Sequence, residues 1–202
     1  MKYLRILFSA AALLLAASCI ENDIPYPTIE LNIRSIEGFT VAGISLVNRT
    51  VTLTLDEKTD IRKVTIDKAE FDVATSNPMM TDKEKFISQI RTSQPLSGEF
   101  DLRAPLYVTL SLYQEYEWTI VAEQPIARSF TVAGQIGSTL IDTQARTATA
   151  YVAEGTDLKA VTVTSLKLGP ADITAYSPTA EELSATGFET VRLVDVTCHG
   201  RT

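Results

Sequence analysis

The sequence predicts an all-β protein that contains two tandem β-sandwich modules. Thr50–Leu55 alternates threonine with valine or leucine, and this period of two places one face of a strand in a core. Residues 49–66 match residues 146–163 at a constant offset of 97, and Arg-Thr, Thr-Asp and Val-Thr pairs recur in register. A polar, turn-forming segment follows the first strand of each copy. Short strands rich in threonine and valine, joined by such turns, are typical of β-sandwiches.

The chain opens with the features of an export signal. Two basic residues precede an apolar run of about a dozen residues, and small residues lead up to Cys19. The apolar run is shorter than the ~20 residues that a membrane-spanning helix needs. We therefore expect residues 1–18 to be a cleaved signal peptide and not a transmembrane helix.

The residues around Cys19 predict a lipid anchor. Residues 15–19, Leu-Ala-Ala-Ser-Cys, resemble the bacterial lipobox, in which the cysteine thiol takes up a diacylglycerol and becomes the mature N-terminus. The commonest lipobox has leucine where this chain has Ala16. Acyl chains such as palmitate, at ~0.8 kcal/mol per buried methylene, would hold Cys19 in a membrane. The alternative is a secreted protein with a free Cys19 thiol.

A short acidic segment that contains proline follows the predicted anchor. Glu21 and Asp23 resemble the signal that sends Bacteroidota-type lipoproteins to the cell surface. The alternative is a solvated tether, since like charges keep a segment extended. On either interpretation, residues 19–27 link the anchor to the first module. The predicted location is the outer membrane, where the protein is lipid-anchored and surface-exposed.

The composition of the mature chain narrows the range of partners. Without residues 1–18 the chain has 184 residues, with 16 basic and 25 acidic side chains and a net charge of −9. Such a surface disfavours nucleic acid, because nucleic-acid binding depends on the neutralisation of phosphates by lysine and arginine. Cys198 is the one cysteine left once Cys19 is acylated, so no internal disulfide is expected.

The repeat sets the predicted module boundaries. We expect module 1 at residues 28–125 and module 2 at residues 126–202. A second strand follows the polar turn of each copy, at residues 63–71 and 160–168, where valine, isoleucine, leucine and phenylalanine alternate with other residues. Each module is therefore expected to bury a core of its own.

An insertion is predicted in module 1. The closing strands align at an offset of 86 and not 97, since Val108 matches Val194, so module 1 has eleven extra residues. Residues 81–90 begin with a threonine that suits a helix cap, and they place Phe86 and Ile90 at helical spacing. We therefore expect the extra residues to form a short helix inserted in module 1.

The two modules are predicted to end differently. Module 1 closes with a strand at residues 106–113, a turn, and a last strand at residues 117–121. The counterpart of Trp118, at the offset of 86, would fall two residues beyond Thr202. Module 2 is therefore expected to lack its last strand, which exposes unpaired backbone groups and part of its core. We expect an N-terminal portion of a longer protein; the alternative is a strand donated by another chain.

Several short stretches resemble a known group of proteins. They are residues 19–27, residues 154–158 with 161–163, and the hairpin turn at His199 and Gly200. These stretches are similar to the tandem immunoglobulin-like modules of Bacteroidota-type surface lipoproteins, in particular those with a C-terminal domain named for carbohydrate metabolism. The resemblance implies immunoglobulin-like β-sandwiches and a cell-surface role in glycan handling or adhesion. It implies no catalytic residues.

Four aromatic residues near the last predicted hairpin of module 1 are the best candidate for a binding site. They are Tyr107, Tyr113, Tyr116 and Trp118. Flat aromatic faces stack against sugar rings, so exposed rings here predict a glycan contact. The alternative is that Trp118 fills the core of the sandwich while Tyr113 and Tyr116 flank the turn.

The cysteine, the histidine and the acidic turn residues of the mature chain are expected to have structural and not catalytic or metal-binding roles. Cys198 and His199 are neighbours on a predicted strand, where side chains point to opposite faces, so a thiol–imidazole pair is not expected. Acidic residues such as Asp56 and Asp157 suit turns, and they lack the ligand spacing of a calcium loop. We therefore expect no enzyme activity, no cofactor and no metal site.

These observations predict a non-enzymatic cell-surface lipoprotein whose modules act as a spacer or bind glycans. Its partners would be a membrane, through the acyl chains on Cys19, and a glycan or surface protein. The alternative is an adhesin or fimbrial subunit, in which a donor strand completes module 2.

Overall fold

The computed structural model describes residues 27–34, 39–76, 78 and 81–202, and the predicted anchor at Cys19 lies outside them. The fold of the described residues is all-β, as predicted, with two short helices, α1 (Lys83–Gln89) and α2 (Ala180–Thr186). The strands of module 1 are β1 (Thr28–Arg34), β2 (Phe39–Ser45), β3 (Thr50–Leu55), β4 (Val64–Ile66), β5 (Lys68–Ala74), β6 (Arg91–Thr92), β7 (Gly98–Phe100), β8 (Leu106–Ser111) and β9 (Glu115–Glu123). Those of module 2 are β10 (Ser129–Val132), β11 (Leu140–Asp142), β12 (Thr147–Thr149), β13 (Val163–Lys167), β14 (Thr174–Ser177) and β15 (Asp195–Cys198).

Module 1 is built around a five-stranded sheet with the order β2-β3-β9-β8-β6. Neighbours in this sheet are antiparallel except β3 and β9, which run parallel. The paired strands β1–β5 and β4–β7 pack against it and share its core. Burial of each large apolar side chain in this core contributes about 1.5–3 kcal/mol. The buried side chains include Ile29, Leu31, Ile33, Val51, Leu53, Val64, Ile66, Val108, Leu110, Trp118 and Ile120.

Strand β3 confirms the strand predicted at Thr50–Leu55. Val51, Leu53 and Leu55 are at most 2% exposed, whereas the threonines between them are half-buried on the outer face. This alternation follows from the pleat, which sends successive side chains to opposite faces. The threonines therefore cover the sheet without entering its core.

Module 2 has a smaller core and shorter sheets. Its strands form three two-stranded sheets, β10–β13, β11–β12 and β14–β15, and α2 packs near β13. Phe188 packs against Phe130 in a tilted arrangement, with ring centres 6.1 Å apart. The most buried apolar side chains are Phe130, Val132, Val161, Val163 and Leu183.

The two halves of the repeat share local geometry at the offset of 97 residues. Arg49 and Arg146 both have a positive φ, of 49° and 54°, at the end of a hairpin turn. The carboxylates of Asp60 and Asp157 each accept a hydrogen bond from the backbone N–H two residues later, at 3.1 and 2.9 Å. Three consecutive residue pairs of the β10–β13 ladder match pairs of the β1–β5 ladder at the same offset. Three consecutive pairs of the β11–β12 ladder match pairs of the β2–β3 ladder in the same way. The sequence repeat is therefore also a repeat of hydrogen-bond register.

The expectation that the helix is an insertion of module 1 is wrong. Both α1 and α2 are present, and they too lie 97 residues apart. The eleven extra residues instead fall between α1 and β8, in the segment that holds β6 and β7. The cap also differs by one residue from the expected threonine, because Asp82 accepts the hydrogen bond of Lys85 N.

The apolar pattern of module 2 could not reveal α2, because Leu183 is the one buried residue of that helix. A different signal is present at its start. The Thr179 hydroxyl accepts from Glu182 N, and the Glu182 carboxylate accepts from Thr179 N, which is the capping box of a helix N-terminus. A threonine followed three residues later by glutamate therefore marks this helix in the sequence.

Candidate functional site

Two of the four predicted aromatic residues lie in the core of module 1. Trp118 and Tyr116 are 1% and 2% exposed, because alternate side chains of β9 point inward. The Tyr116 hydroxyl donates to the Pro27 carbonyl at 2.6 Å, and the Arg49 guanidinium lies 5.0 Å from the centre of the Tyr116 ring. Trp118 therefore fills the core, which is the alternative to sugar binding that the sequence allows. Tyr116 is also a core residue, so neither ring can stack on a sugar.

Tyr107 lies on the outer face of the five-stranded sheet and is 59% exposed. It is paired with Thr119 of β9, which is paired in turn with Thr50 of β3. The backbone carbonyl of Tyr107 accepts a hydrogen bond from the Gln94 side chain at 3.2 Å. An exposed ring thus stands at the side of a row of threonine hydroxyls, which can both donate and accept hydrogen bonds.

A groove of about 510 Å³ lies at the end of β8 and is lined by Gln89, Arg91, Ser111 and Leu112. Tyr113, the next residue along the chain, is 55% exposed, and its ring lies 6.3 Å from the Phe86 ring of α1. The groove therefore combines amide, guanidinium and hydroxyl donors with a neighbouring aromatic ring. Such a set can hydrogen-bond the hydroxyls of a sugar and cover its apolar face.

The acidic turn after β3 connects the two modules. Glu57 Oε1 accepts from Lys167 Nζ at 2.7 Å and from Ala171 N at 2.9 Å. Lys58 Nζ lies 2.6 Å from Asp172 Oδ2. The hydrogen bond from Lys167 lowers the pKa of Glu57 below its ordinary value, and that from Lys58 lowers the pKa of Asp172. Each carboxylate is therefore held in its charged form by a lysine of the other module, Glu57 by Lys167 and Asp172 by Lys58.

Gln124 fixes the start of the link between the modules. It follows β9, and its side-chain Nε2 donates to the carbonyls of Asp56, Glu57 and Thr59 at 2.9, 3.2 and 2.7 Å. At the other end of the link, Arg128 Nε donates to the Leu168 carbonyl at 2.9 Å. The link is thus tied to module 1 at one end and to module 2 at the other. We call the contacts of Glu57, Lys58 and Gln124 the module joint.

Cys198 and His199 line a cleft of about 320 Å³ between the modules. Cys198 is half-buried at the end of β15, and His199 is exposed in the next turn with a φ of 51°. Within the described residues, no hydrogen bond joins the thiol to the imidazole. Arg62, which also lines the cleft, is paired with Asp60 at 2.9 Å.

Two kinds of feature are absent from the described residues. No group of three or more histidine, cysteine, aspartate or glutamate side chains is placed to hold a metal ion in the described ranges. In the same part of the chain, neither α1 nor α2 has the length and apolar composition that crossing a membrane requires.

Comparison with protein-family models finds no match for this chain, and comparison with curated proteins finds none either. Among solved structures, the chain is similar to a protein of Bacteroides thetaiotaomicron described as a "putative glycoside hydrolase". The likeness covers 59% of this chain and 33% of that protein, with 14% sequence identity and a TM-score of 0.30. This chain thus spans about a third of the length of that protein. A likeness at this level defines neither the class of sandwich nor an activity.

Proposed function

We propose that this chain is a non-enzymatic lipoprotein of the outer-membrane surface, acylated at Cys19, whose two modules act as a spacer and contact glycans. The lipobox-like residues 15–19 support the anchor. The module joint carries the spacer role, because a spacer holds a distance only when its modules do not rotate freely. Glu57 binds module 2 while Gln124 binds the same turn from the link, so both restrict that rotation.

We assign both modules to the immunoglobulin-like class of β-sandwiches. In module 1, two layers of mainly antiparallel strands enclose one core, which supports this class. In module 2, the ladders repeat the register of module 1, so the same class applies to both. This class agrees with the surface lipoproteins that residues 19–27 and 154–158 resemble.

The anchor is tested by replacing each of the two cysteines in turn. Cys19→Ala removes the proposed acylation site, so this variant is expected in the soluble fraction of cells while the wild type sediments with membranes. Cys198→Ala is the matched control, because it removes a thiol from module 2 and should stay with membranes. Membrane association of Cys19→Ala would contradict the anchor.

Tyr107 and Tyr113 are the proposed glycan contacts. Tyr113 is six positions after Tyr107: four steps of extended backbone along β8, about 13 Å, and two steps in the following turn. A ligand that touches both rings must therefore be an oligosaccharide and not a single sugar. We place its ends at the threonine row beside Tyr107 and at the groove beside Tyr113.

A glycan array with three tyrosine variants tests this contact. Tyr107→Ala and Tyr113→Ala should each weaken oligosaccharide binding about fivefold, for loss of about 1 kcal/mol of ring contact. Tyr151→Ala is the control, because Tyr151 is 55% exposed, as Tyr113 is, but lies in module 2. Equal weakening in all three variants, or no bound glycan, would contradict the proposal.

A second candidate function is an adhesin or fimbrial subunit that a donor strand completes. One observation favours it: the sheet that is continuous in module 1 is divided in module 2 into the separate pairs β11–β12 and β14–β15. Within the described residues, β12 pairs with no strand but β11, whereas the second edge of β15 already carries the Cys198–Arg201 bridge. The second edge of β12 is therefore the one that another strand can join.

A further inference from the structure

The turn between β2 and β3 is apolar, although hairpin turns are usually built from glycine, asparagine, aspartate, serine and proline. Leu46 and Val47 in this turn are 51% and 93% exposed, and Ile44 at the end of β2 is 40% exposed. The turn is closed by a polar contact, in which Asn48 N donates to Ser45 Oγ at 3.2 Å. The two apolar side chains of the turn therefore lie side by side outside the core. We call Ile44, Leu46 and Val47 the apolar tip.

The segment around the apolar tip lacks the acidic residues that the rest of the chain has. Residues 38–55 contain no acidic side chain, although 25 of the 184 residues of the mature chain are acidic. The one charged residue of this segment is Arg49, whose guanidinium lies 5.0 Å from the centre of the Tyr116 ring. A cation behind the tip is attracted and not repelled by the phosphates of an anionic lipid surface. The tip can therefore approach such a surface without a carboxylate of its own segment.

The apolar tip and the end of the tether lie at the same end of module 1. The Tyr116 hydroxyl, near the start of β9, donates to the carbonyl of Pro27, where the tether meets β1. Strand β3 runs parallel to β9, and Thr119 N donates to the Arg49 carbonyl at 2.9 Å. The turn before β3 is therefore beside the first half of β9, as Pro27 is. We call this the tether end of module 1.

Module 2 is attached at the opposite end of module 1. Gln124 directly follows β9 and bonds to the turn after β3. Eight steps of extended backbone separate Tyr116 from Gln124, about 27 Å. The eight steps from Cys19 to Pro27 can span at most about 29 Å. A membrane that holds Cys19 is therefore within reach of the tether end, while the module joint lies at the far end of β9.

The β8–β9 turn also lies at the tether end. Strand β9 extends four residues past Thr119 on this side, so its turn reaches at least as far as the apolar tip. This turn carries Tyr113, whose exposed ring lies beside Phe86. Amphipathic aromatic rings of this kind suit the headgroup level of a membrane. A membrane at the tether end would thus meet both turns, and the glycan contact proposed for Tyr113 would lie near the headgroups.

We propose that the apolar tip inserts into the same lipid surface that holds Cys19 and so orients module 1 on it. Lipid is the partner because the short tether keeps this surface close to the tip at a high effective concentration. Leu46 and Val47 enter the boundary between headgroups and acyl chains, at a depth of about 5–10 Å. The acyl anchor limits distance alone, and the tip adds a second contact that limits rotation. This inference rests on the lipid anchor of the proposed function and adds a contact to it.

Two valines that are almost fully exposed give a matched test of insertion. The mature chain with Cys198→Ala is coupled through the Cys19 thiol to vesicles of phosphatidylethanolamine and phosphatidylglycerol that include a maleimide lipid and brominated acyl chains. Val47→Trp should lose about half of the added fluorescence, because bromine quenches an indole at that depth. Val191→Trp, at a position 91% exposed in module 2, should lose none. The chain without an added tryptophan gives the signal of Trp118.

A second measurement tests the natural side chains, because tryptophan itself favours the membrane interface. Amide exchange in the turn should be slower in the vesicle-coupled chain than in the uncoupled chain. The double variant Leu46→Ser, Val47→Ser should exchange at the uncoupled rate, and circular dichroism confirms that it is folded. Slowing that the serines abolish supports the proposal. Slowing that persists in the double variant, or none in the natural chain, would overturn it, as would equal quenching at both valines or none at Val47→Trp.

The lipid anchor and the apolar tip fail separately in these experiments. Chemical coupling supplies the anchor, so a Cys19 that is not acylated in cells would leave the vesicle results unchanged. Conversely, a tip that stays in water on coupled vesicles would overturn this inference and leave the membrane fractionation of Cys19→Ala as it is.

Discussion

The hydroxyl of Tyr116 connects the strand at the centre of the module 1 sheet to the start of β1. It donates to the carbonyl of Pro27, which is buried, and it accepts a hydrogen bond from the Gln114 side chain. A buried carbonyl that loses its donor is costly, because neither water nor protein replaces the bond. Tyr116 therefore acts as a structural residue, although its sequence position made it a candidate for sugar binding.

Tyr116→Phe is expected to destabilise module 1 by about 1–3 kcal/mol, because the Pro27 carbonyl is left without a donor. The measurement is the free energy of unfolding in denaturant. Tyr107→Phe is the control, since Tyr107 is 59% exposed and its hydroxyl can bond to water. Equal stabilities of the two variants would show that the Tyr116 bond contributes nothing.

Individual residues show how far sequence alone reaches. The alternation of β9 is a local property, so the burial of Trp118 was among the alternatives that the sequence supports. The partners of Glu57 could not be predicted from the sequence, because Ala171 lies 114 residues away and its contact with Glu57 depends on how the two modules pack together. Gln124 likewise gives no local signal, since its three acceptors are backbone carbonyls of a distant turn.

At the scale of elements, helix α2 is held at its end by close backbone packing. Gly187 N donates to the Leu183 carbonyl at 3.0 Å, and Phe188 N donates to the Leu158 carbonyl at 2.7 Å. Gly187 has a φ of 70°, and a Cβ there would lie 2.6 Å from Lys159 Cα. The end of α2 can therefore approach the backbone of Leu158 and Lys159 closely because Gly187 has no side chain.

Gly187→Ala should destabilise module 2 by at least about 2 kcal/mol, from the left-handed backbone and from the clash with Lys159. Gly155→Ala is the matched control, because its φ is 84° but an added Cβ meets no described atom within 4 Å. This control should cost about 1 kcal/mol, for the backbone conformation alone. Thermal or denaturant unfolding compares the two, and equal losses would argue against the close approach.

Secondary-structure elements were predictable where their apolar residues recur at the spacing of a strand or a helix, and not elsewhere. β3 and the helix near residues 81–90 follow from alternation and from the spacing of Phe86 and Ile90. The helix α2 was missed because its cap, and not its apolar pattern, carries the signal. Because α2 was not predicted, the eleven extra residues of module 1 were assigned to α1, which then had no counterpart in module 2.

At the scale of the whole molecule, the module joint depends on charge and therefore on pH. Glu57 and Asp172 have pKa values lowered from their ordinary 4.5 and 3.8 by the lysines that bond to them. Their contribution is present above those ordinary values and is lost as pH falls through the lowered ones. Lys58 has a pKa raised from 10.5 by Asp172, so its contribution is lost as pH rises through the raised value.

Small-angle X-ray scattering is expected to give the same profile from pH 5 to pH 10 and an increasingly flexible two-module profile as the pH is lowered below 3.8, the ordinary pKa of aspartate, and through the lowered pKa values of both carboxyls. The reason is protonation of Glu57 and Asp172, which releases the lysine contacts of the joint. Circular dichroism must show that both modules stay folded at the acidic pH. Glu57→Gln should reproduce part of the acid effect at pH 7, and a profile unchanged by pH and by this substitution would contradict the joint.

We propose that the chain is anchored by its first mature residue and extends as two modules from the membrane. Mass spectrometry of the N-terminal peptide from the membrane fraction tests this anchor. The expected peptide begins at Cys19 and carries acyl chains on that residue. A mature chain that begins at another residue, or an unmodified Cys19 thiol, would contradict it.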